Sequence, residues 1–457
     1  MGDDTAPTHV VTAFLRNRGE ILLCRRSDEV GTYQGQWGGV SGYAEGDPDE
    51  QVRIEIREET GLDPDDVSLV RSGRPIEFED PALDRAWAVH PSLFDCETRT
   101  IELSEEHDAA EWVPPTVLCD PDADREPVPK LWQAYERVAP TVRSIAADDD
   151  HGAASLSVRA LEVLRDRAGV CLRERAEFGA DPASEWDELT ELARALLEVR
   201  PSMAVLRNRV NRAMADARDE TDADDGPPGG PAVLDATLAG IDRALAADEA
   251  AGATAADRIE GTVLTLSRSG TVLDALRAAE PSRVFVAESR PAREGVSVGE
   301  VLADDCPVTL HTDAAAAHVL ASEPIDWVVV GADTILPDGA VVNKTGTRAV
   351  AIAADRAGVP VSVVAATDKV STHETVNLES GDRTAVYDGE ASVDVVNPTF
   401  DVTPADCVTE VLTERGAIAP EEIGTIAAEL RATEAWQQAS ETDSRQSETT
   451  DGNHSVQ

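Results

Sequence analysis

Three glutamates set the first chemical question. In IEIREETGL (residues 54–62), Glu55, Glu58 and Glu59 fall within an arc of about 100° if the segment is helical. Carboxylates so close repel one another, and helix stability alone does not keep them together. A hard divalent cation, Mg²⁺ or Mn²⁺, resolves the repulsion through oxygen ligation. It can then polarise a phosphate and activate water. In so acidic a chain the same spacing also describes a solvated acidic face, and spacing alone leaves the two readings level.

A second constellation lies in four later segments: VLTLSRSGTV (263–272), VFVAESRPAREG (284–295), VVVGADTILPDGAVVNKTGT (328–347) and NPTFDVTPADCVTEVLTERG (397–416). Each is a run of β-type residues followed by a short polar loop with glycine. In a parallel sheet such strand ends gather at one edge, where ligands bind. That edge would carry Ser267, Arg268, Ser269, Gly270, Arg290, Asp333, Asn343, Lys344 and Thr347. Hydroxyls, an amide, arginines and a lysine together suit an anionic ligand such as a sugar phosphate. Lys344 stands out because only three of the 40 basic residues are lysine: Lys130, Lys344 and Lys369. A compact point charge is wanted there. Ordinary turn-rich loops are the alternative.

These residues need elements to position them. Residues 9–16 and 20–25 are apolar runs joined by NRG, which reads as a β-hairpin. A Gly-rich loop leads into a helix over 49–60, stopped by Gly61, and a further helix is expected over 129–146. The acidic run near 147–152 is the first boundary. Helical patterning fills 153 to about 250, interrupted by the polar stretch 218–231, an exposed loop. Beyond residue 259, short apolar runs alternate with Ala-rich helical stretches, the pattern of a parallel sheet flanked by helices. The tail from about 438 is low-complexity and expected to be disordered.

The chain has 457 residues, so two or three domains are expected, and 42% apolar residues suffice for real cores. The net charge of −48 is spread along the whole chain. At ~1 M salt the Debye length falls to ~3 Å and such self-repulsion is largely screened, so the composition reads as adaptation to a very salty cytoplasm. No basic patch is present for a nucleic-acid backbone. The six cysteines are scattered without a CxxC pair, which argues against zinc sites and a disulfide framework. The polar N-terminus is no signal peptide, and no apolar run approaches ~18 residues. A soluble, cytoplasmic protein without membrane contact is expected.

The stretch GYAEGDPDEQVRIEIREETGL, with WGGVSG before it and EWVPP after it, resembles the Nudix family of hydrolases. Their signature is G-x5-E-x7-R-E-U-x-E-E-x-G-U, with U a bulky aliphatic residue. The resemblance covers about 8–143, and Glu55, Ile56, Glu58, Glu59, Gly61 and Leu62 match. It implies that the glutamates hold metals that assist attack on a diphosphate linkage. The chain departs from the signature in two places. Ile54 occupies the arginine position, and Arg53 is turned ~100° away around the helix. The loop glutamate is represented only by Glu45 or Asp47 in a shortened segment.

The four later segments, with DHGAASLSVRAL (150–161) and EVRPSMAVLRNRVNRAM (198–214), resemble another family over about 151–436. It unites the α, β and δ subunits of translation initiation factor 2B with aldose-ketose isomerases. Those isomerases act on methylthioribose 1-phosphate and ribose 1,5-bisphosphate. The resemblance adds Gly152 and Arg200 to the candidate ligand-binding set and implies a homodimer or higher oligomer. The isomerases pair a cysteine with the aspartate of the GAD segment, which Asp333 matches. The cysteine's position holds Ser267, the preceding histidine is Leu266, and the arginine of the isomerases' R-G-A loop is His151. A thiol with pKa ~8.5 exchanges a proton near neutrality, whereas a serine hydroxyl needs a strong neighbouring base.

The resulting expectation is an α/β multidomain chain. A Nudix α/β/α sandwich (1–146) precedes a helical subdomain (151–255), a Rossmann-like parallel-sheet subdomain (256–436) and a disordered tail (437–457). The expected function is an initiation factor 2B subunit-like body with a phosphorylated-ligand pocket. It is fused to a Mg- or Mn-dependent module acting on nucleoside-diphosphate derivatives. A sugar-phosphate isomerase using Asp333 and Ser267 is the alternative. Expected partners are a phosphorylated small molecule or nucleotide derivative and an initiation factor, without direct nucleic-acid binding.

Overall fold

The computed structural model describes residues 6–148, 151–221 and 226–438. The expected tail, from 439 on, lies outside the described residues, as does part of the 218–231 loop. The chain forms two compact units, each discontinuous in sequence. Unit 1 comprises Met1–Ser144, Glu162–Leu189 and Ala223–Asp235; unit 2 comprises Ile145–Leu161, Thr190–Asp222 and Ala236–Gln457.

Unit 1 is built on an eight-stranded mixed sheet. Strands β1 (Thr8–Asn17) and β2 (Glu20–Arg26) form the expected hairpin, its two turn residues Arg18 and Gly19 both at positive φ. Then follow β3 (Trp37–Gly38), β4 (Val40–Tyr43), helix α1 (Pro48–Thr60), β5 (Val67–Ser72), β6 (Ile76–Asp80), β7 (Arg85–Cys96) and β8 (His107–Val113). The central order is β3-β2-β1-β7-β5, with β1 and β7 parallel. Asp47 caps α1 by accepting from the Asp49 amide, Pro48 opens the helix, and Gly61 ends it at φ 70°.

Side-chain alternation along β1 makes this sheet a sandwich. Val11, Ala13 and Leu15 pack with Val52 and Ile56 of α1. Phe14 packs on the opposite face with Trp132 and Tyr135 of α2 (Leu131–Glu136). The larger aliphatic side chains and Phe14 each contribute about 1.5–3 kcal/mol on burial. The single helix expected over 129–146 is instead two, α2 and α3 (Val142–Ala146). Pro140 lacks an amide hydrogen and disfavours helical geometry at its predecessor, so the helix breaks there.

Four longer helices follow: α4 (Ala153–Phe178), α5 (Pro182–Val199), α6 (Ala204–Asp219) and α7 (Gly230–Ala256). Residues Glu162–Phe178 of α4 belong to unit 1, and Val170 joins its core cluster with Trp132 and Tyr135.

Unit 2 carries a seven-stranded sheet. In chain order its elements are β9 (Thr262–Leu266), α8 (Gly270–Ala279), β10 (Arg283–Ala287), α9 (Glu294–Leu302), β11 (Val308–His311), α10 (Ala316–Ser322) and β12 (Trp327–Gly331). Then come β13 (Thr334–Ile335), β14 (Val341–Lys344), α11 (Thr347–Ala357), β15 (Val361–Val364), β16 (Phe400–Thr403), β17 (Glu410–Thr413), β18 (Gly416–Ile418) and α12 (Ile423–Ala432). The order β11-β10-β9-β12-β15-β17-β18 is parallel except for the last pair. Its first six strands follow the doubly wound order 3-2-1-4-5-6, whose direction reverses between β9 and β12. Ser267 follows β9 and Asp333 follows β12, so the topology brings both to that reversal point. Strands β13, β14 and β16 form a separate small sheet. Among the described residues no helix is long and apolar enough to cross a membrane.

Candidate functional site

The three glutamates share α1 but not an environment. Glu58 is exposed, Glu55 is half-buried and Glu59 is buried. Glu55 accepts from Gln51 Nε2 at 2.7 Å. Gly42 makes room for it, because a Cβ there would lie 2.0 Å from the Glu55 carboxyl carbon. Burial raises the Glu55 pKa, with neighbouring glutamates adding to the effect. Glu59 accepts from the Ser41 amide at 3.2 Å, while its Oε1 is buried without a hydrogen-bond partner. Burial pushes Glu59 up to about 8, opposed by the Ser41 amide. His107 Nε2 stands 3.7 Å from Glu59 Oε2, and burial pushes that imidazole down to about 4. Ile54, at the signature's arginine position, is exposed, and Arg53 stacks on Phe94 at 5.3 Å. Arg53 therefore does not take the missing arginine's place.

Glu55 and Glu58 open onto a cavity of ≈ 510 Å³ in unit 1. Its lining includes Glu45 and Glu106, the cations Arg26 and Lys130, and the aromatic rings of Tyr33, Phe78 and Trp87. Phe78 and Trp87 are cross-strand partners on β6 and β7, and the Tyr33 hydroxyl donates to Asp80 at 2.7 Å. Arg26 Nε donates to the Thr32 carbonyl at 2.9 Å, which fixes the loop between β2 and β3. The sequence reading missed Arg26, Glu106 and Lys130. Lys130 carried the same signal as Lys344, a lysine kept where nearly every cation is arginine. Among the described residues no three acidic, imidazole or thiol side chains stand together as a preformed metal cluster. Mg²⁺ does not require one, since it binds through one or two carboxylates, retained waters and substrate phosphates. Glu55 and Glu58 on one helix, with Glu45 and Glu106 also lining the cavity, fit a cation that arrives with its phosphates.

In unit 2 several of the candidate residues are bonded to neighbouring protein groups. Ser267 sits at φ 62°, and its amide donates to Ser289 Oγ at 2.7 Å. Asp313 accepts from the amides of Ser289 and Arg290 at 2.8 and 2.7 Å, which sets the loop after β10. The Arg290 side chain is exposed, 3.8 Å from Glu288. Ser269 caps α8 through the Val272 amide, and Gly270 opens that helix with open space around it. Asn343 donates to Thr347 Oγ1 at 3.0 Å, and Lys344 Nζ lies 2.6 Å from Glu294 Oε1.

Asp333 is half-buried. Desolvation raises its pKa, against the pull of Lys369 and Lys344. Lys369, also missed in the sequence, donates to the Ala332 carbonyl at 2.6 Å. Arg200 is committed to the backbone, donating to the Ile145 carbonyl at 3.1 Å and to that of Asp148. Asp148 also binds Arg159 at 2.6 Å and the His151 ring at 2.9 Å, beside Gly152. Thr334 Oγ1 donates to the Ser202 carbonyl at 3.0 Å, so the segment after Arg200 docks next to Asp333. Arg268 lies on the same β9–α8 loop as Ser267.

Comparison with known proteins settles the family. The model of the initiation factor 2 subunit family matches residues 149–420. The chain belongs to that family. A NUDIX domain matches residues 6–134. The family's relatives include a ribose 1,5-bisphosphate isomerase of Haloferax volcanii, 32% identical over 313 residues that span 65% of this chain and 94% of the relative. A methylthioribose-1-phosphate isomerase of Stutzerimonas stutzeri is 39% identical over 168 residues, 33% of this chain and 46% of that protein. The solved structure of the Pyrococcus horikoshii translation initiation factor eIF-2B superposes with TM-score 0.50 at 26% identity, covering 61% of this chain and 95% of that one. The 5-methylthioribose 1-phosphate isomerase of the same organism gives TM-score 0.50 at 21% identity, over 71% of this chain and 89% of that one, and shares the fold.

Proposed function

We propose that the working site of this chain is the N-terminal cavity, where a nucleoside-diphosphate derivative binds with Mg²⁺ or Mn²⁺ and is hydrolysed at its phosphoanhydride. The observation that carries this reading is the cavity itself. Its ≈ 510 Å³ are lined by Glu55 and Glu58 on one helix and by the separate cations Arg26 and Lys130. Glu55 and Glu58 are the groups that would hold the cation, with Glu106 and Glu45 beside them. Such a cation polarises a phosphate and lowers the pKa of bound water. Arg26 and Lys130 orient the phosphates, and Gly42 leaves Glu55 its place. The test is phosphoanhydride cleavage of ADP-ribose, nucleotide sugars, dinucleoside polyphosphates and nucleoside triphosphates in molar KCl with Mg²⁺, read as the nucleotide and phosphomonoester products formed. Wild type should turn over at least one, and no turnover of any would sink the reading.

In the C-terminal module the same reading assigns a bound sugar phosphate without isomerisation. Ser267 occupies the cysteine's position, and a serine hydroxyl exchanges a proton near neutrality only with a strong neighbouring base. The isomerase alternative keeps one argument, the ribose 1,5-bisphosphate isomerase matched over 94% of its length. Domain limits follow the same reading: 1–146 for the Nudix-like part, 151–255 and 256–436 for the family body. A salt-adapted cytoplasmic homo-oligomer, with an initiation factor among its possible partners, completes the proposal. The net charge of −48 supports the salt adaptation.

A further inference from the structure

One wall of the N-terminal cavity is helix α2. Lys130, Leu131 and Ala134 line the cavity, and Tyr135 turns to the other side. There its hydroxyl donates to Asp166 Oδ2 at 2.9 Å. Asp166 belongs to α4, outside residues 6–134 that the NUDIX domain matches, yet inside the same compact unit. Arg165 donates from Nε to Asp166 Oδ1 at 2.8 Å and from Nη1 to the Gly19 carbonyl in the β1–β2 turn. A second arm runs from Arg16 of β1, which binds Asp95 at 2.7 Å and Glu162 of α4 at 3.1 Å. Arg16, Tyr135, Glu162, Arg165 and Asp166 are all more than nine-tenths buried. Gly169 lets α4 approach closely, since a Cβ there would lie 2.5 Å from Thr116 Cγ2.

Buried charges carry a large desolvation penalty, and breaking such a cluster on one side leaves a charge stranded. An apolar helix contact would have served for adhesion alone. A hydrogen-bonded ion cluster in addition favours one register of the helix, and buried pairs are screened by salt much less than surface pairs.

We propose that Asp166 and Arg165, residues of the initiation factor 2 subunit family segment, are positioning residues for the N-terminal cavity: through Tyr135 they fix the helix that presents Lys130. The inference rests on the cavity being the ligand site. It makes the fusion functional, because the cavity's geometry depends on a helix from outside the NUDIX match.

The test uses the full-length protein in molar KCl and Mg²⁺ with ADP-ribose as the probe. Asp166→Asn and the milder Tyr135→Phe should each weaken binding about tenfold, the scale seen when an outer hydrogen-bond partner of a site is lost. Combined with Lys130→Ala, neither should add its full loss, because both act through Lys130. A fall in thermal midpoint with unchanged affinity, or with fully additive losses, would reduce the cluster to structural adhesion and overturn the proposal. Should wild type bind no ADP-ribose, the proposed ligand class fails separately. Hydrogen exchange of the 130–136 amides then decides: faster exchange in Asp166→Asn upholds the positioning role, and unchanged exchange refutes it.

Discussion

The two candidate sites promise similar chemistry in sequence and differ in how their polar groups are used. In the N-terminal cavity, Glu55, Glu58, Glu106, Arg26 and Lys130 line open volume. At the C-terminal strand edge, Lys344 is paired with Glu294, Asn343 with Thr347 and the Ser267 amide with Ser289, while the Arg290 side chain is exposed. The difference teaches where reaction and recognition divide. Charges aimed at a cavity gain most of their interaction energy from an incoming ligand. Groups already bonded to one another gain less and serve better to hold a shape. This contrast is the basis for proposing chemistry in the first module and binding in the second.

Four changes would break or sharpen that contrast, beginning with the largest. Glu58→Gln should lower Mg²⁺-dependent cleavage of the diphosphate bridge by at least about 100-fold, since loss of an outer-shell partner alone costs 10–100-fold. Retained turnover in that variant would move the chemistry elsewhere. Gly42→Ala should cost about 10–100-fold in the same assay with little change in thermal midpoint. The added methyl displaces the mobile end of Glu55 and leaves the backbone alone. Unchanged activity would mean that the position of Glu55 is not required.

The third is a pH effect on stability in EDTA. Glu59 is raised from its ordinary value of 4.5 to about 8, so between those values the folded state holds a proton that the unfolded state has released. Its contribution is fully present below pH 4.5 and lost as pH rises through 8. Unfolding free energy should therefore fall over that window in wild type and less steeply in Glu59→Gln, measured by urea titration. Equal slopes would show that Glu59 is already ionised and paired. The smallest expected effect is that of Ser267→Cys. Leu266 and His151 also depart from the isomerase pattern, so ribose 1,5-bisphosphate should give no ketose in this variant. A clear ketose product would make the C-terminal site a disarmed isomerase and erase the contrast.

Local order was legible in the sequence wherever it depends on neighbours. The β1–β2 hairpin, the start and stop of α1, and the strand character of segments 263–272 and 328–347 follow from turn residues and periodicity. The 129–146 segment, expected as one helix, forms two, because Pro140 lacks the amide hydrogen that would continue the first. The unequal fates of Glu55, Glu58 and Glu59 were not legible. Spacing places them on one turn, and only the sheet beneath α1 decides which of them is buried. The cavity likewise draws Arg26, Phe78, Trp87, Glu106 and Lys130 from distant elements. No local pattern joins them, although the rarity of lysine marked Lys130. The buried cluster of Arg16, Glu162, Arg165 and Asp166 was beyond reach for the same reason, lying across the expected domain boundary.

The most direct test offers one preparation of full-length protein, in molar KCl with Mg²⁺, ADP-ribose and ribose 1,5-bisphosphate in parallel. The account predicts cleavage of the ADP-ribose diphosphate bridge and binding of ribose 1,5-bisphosphate without ketose formation. Intact ADP-ribose alongside ribulose 1,5-bisphosphate would contradict it and assign the chemistry to the C-terminal module.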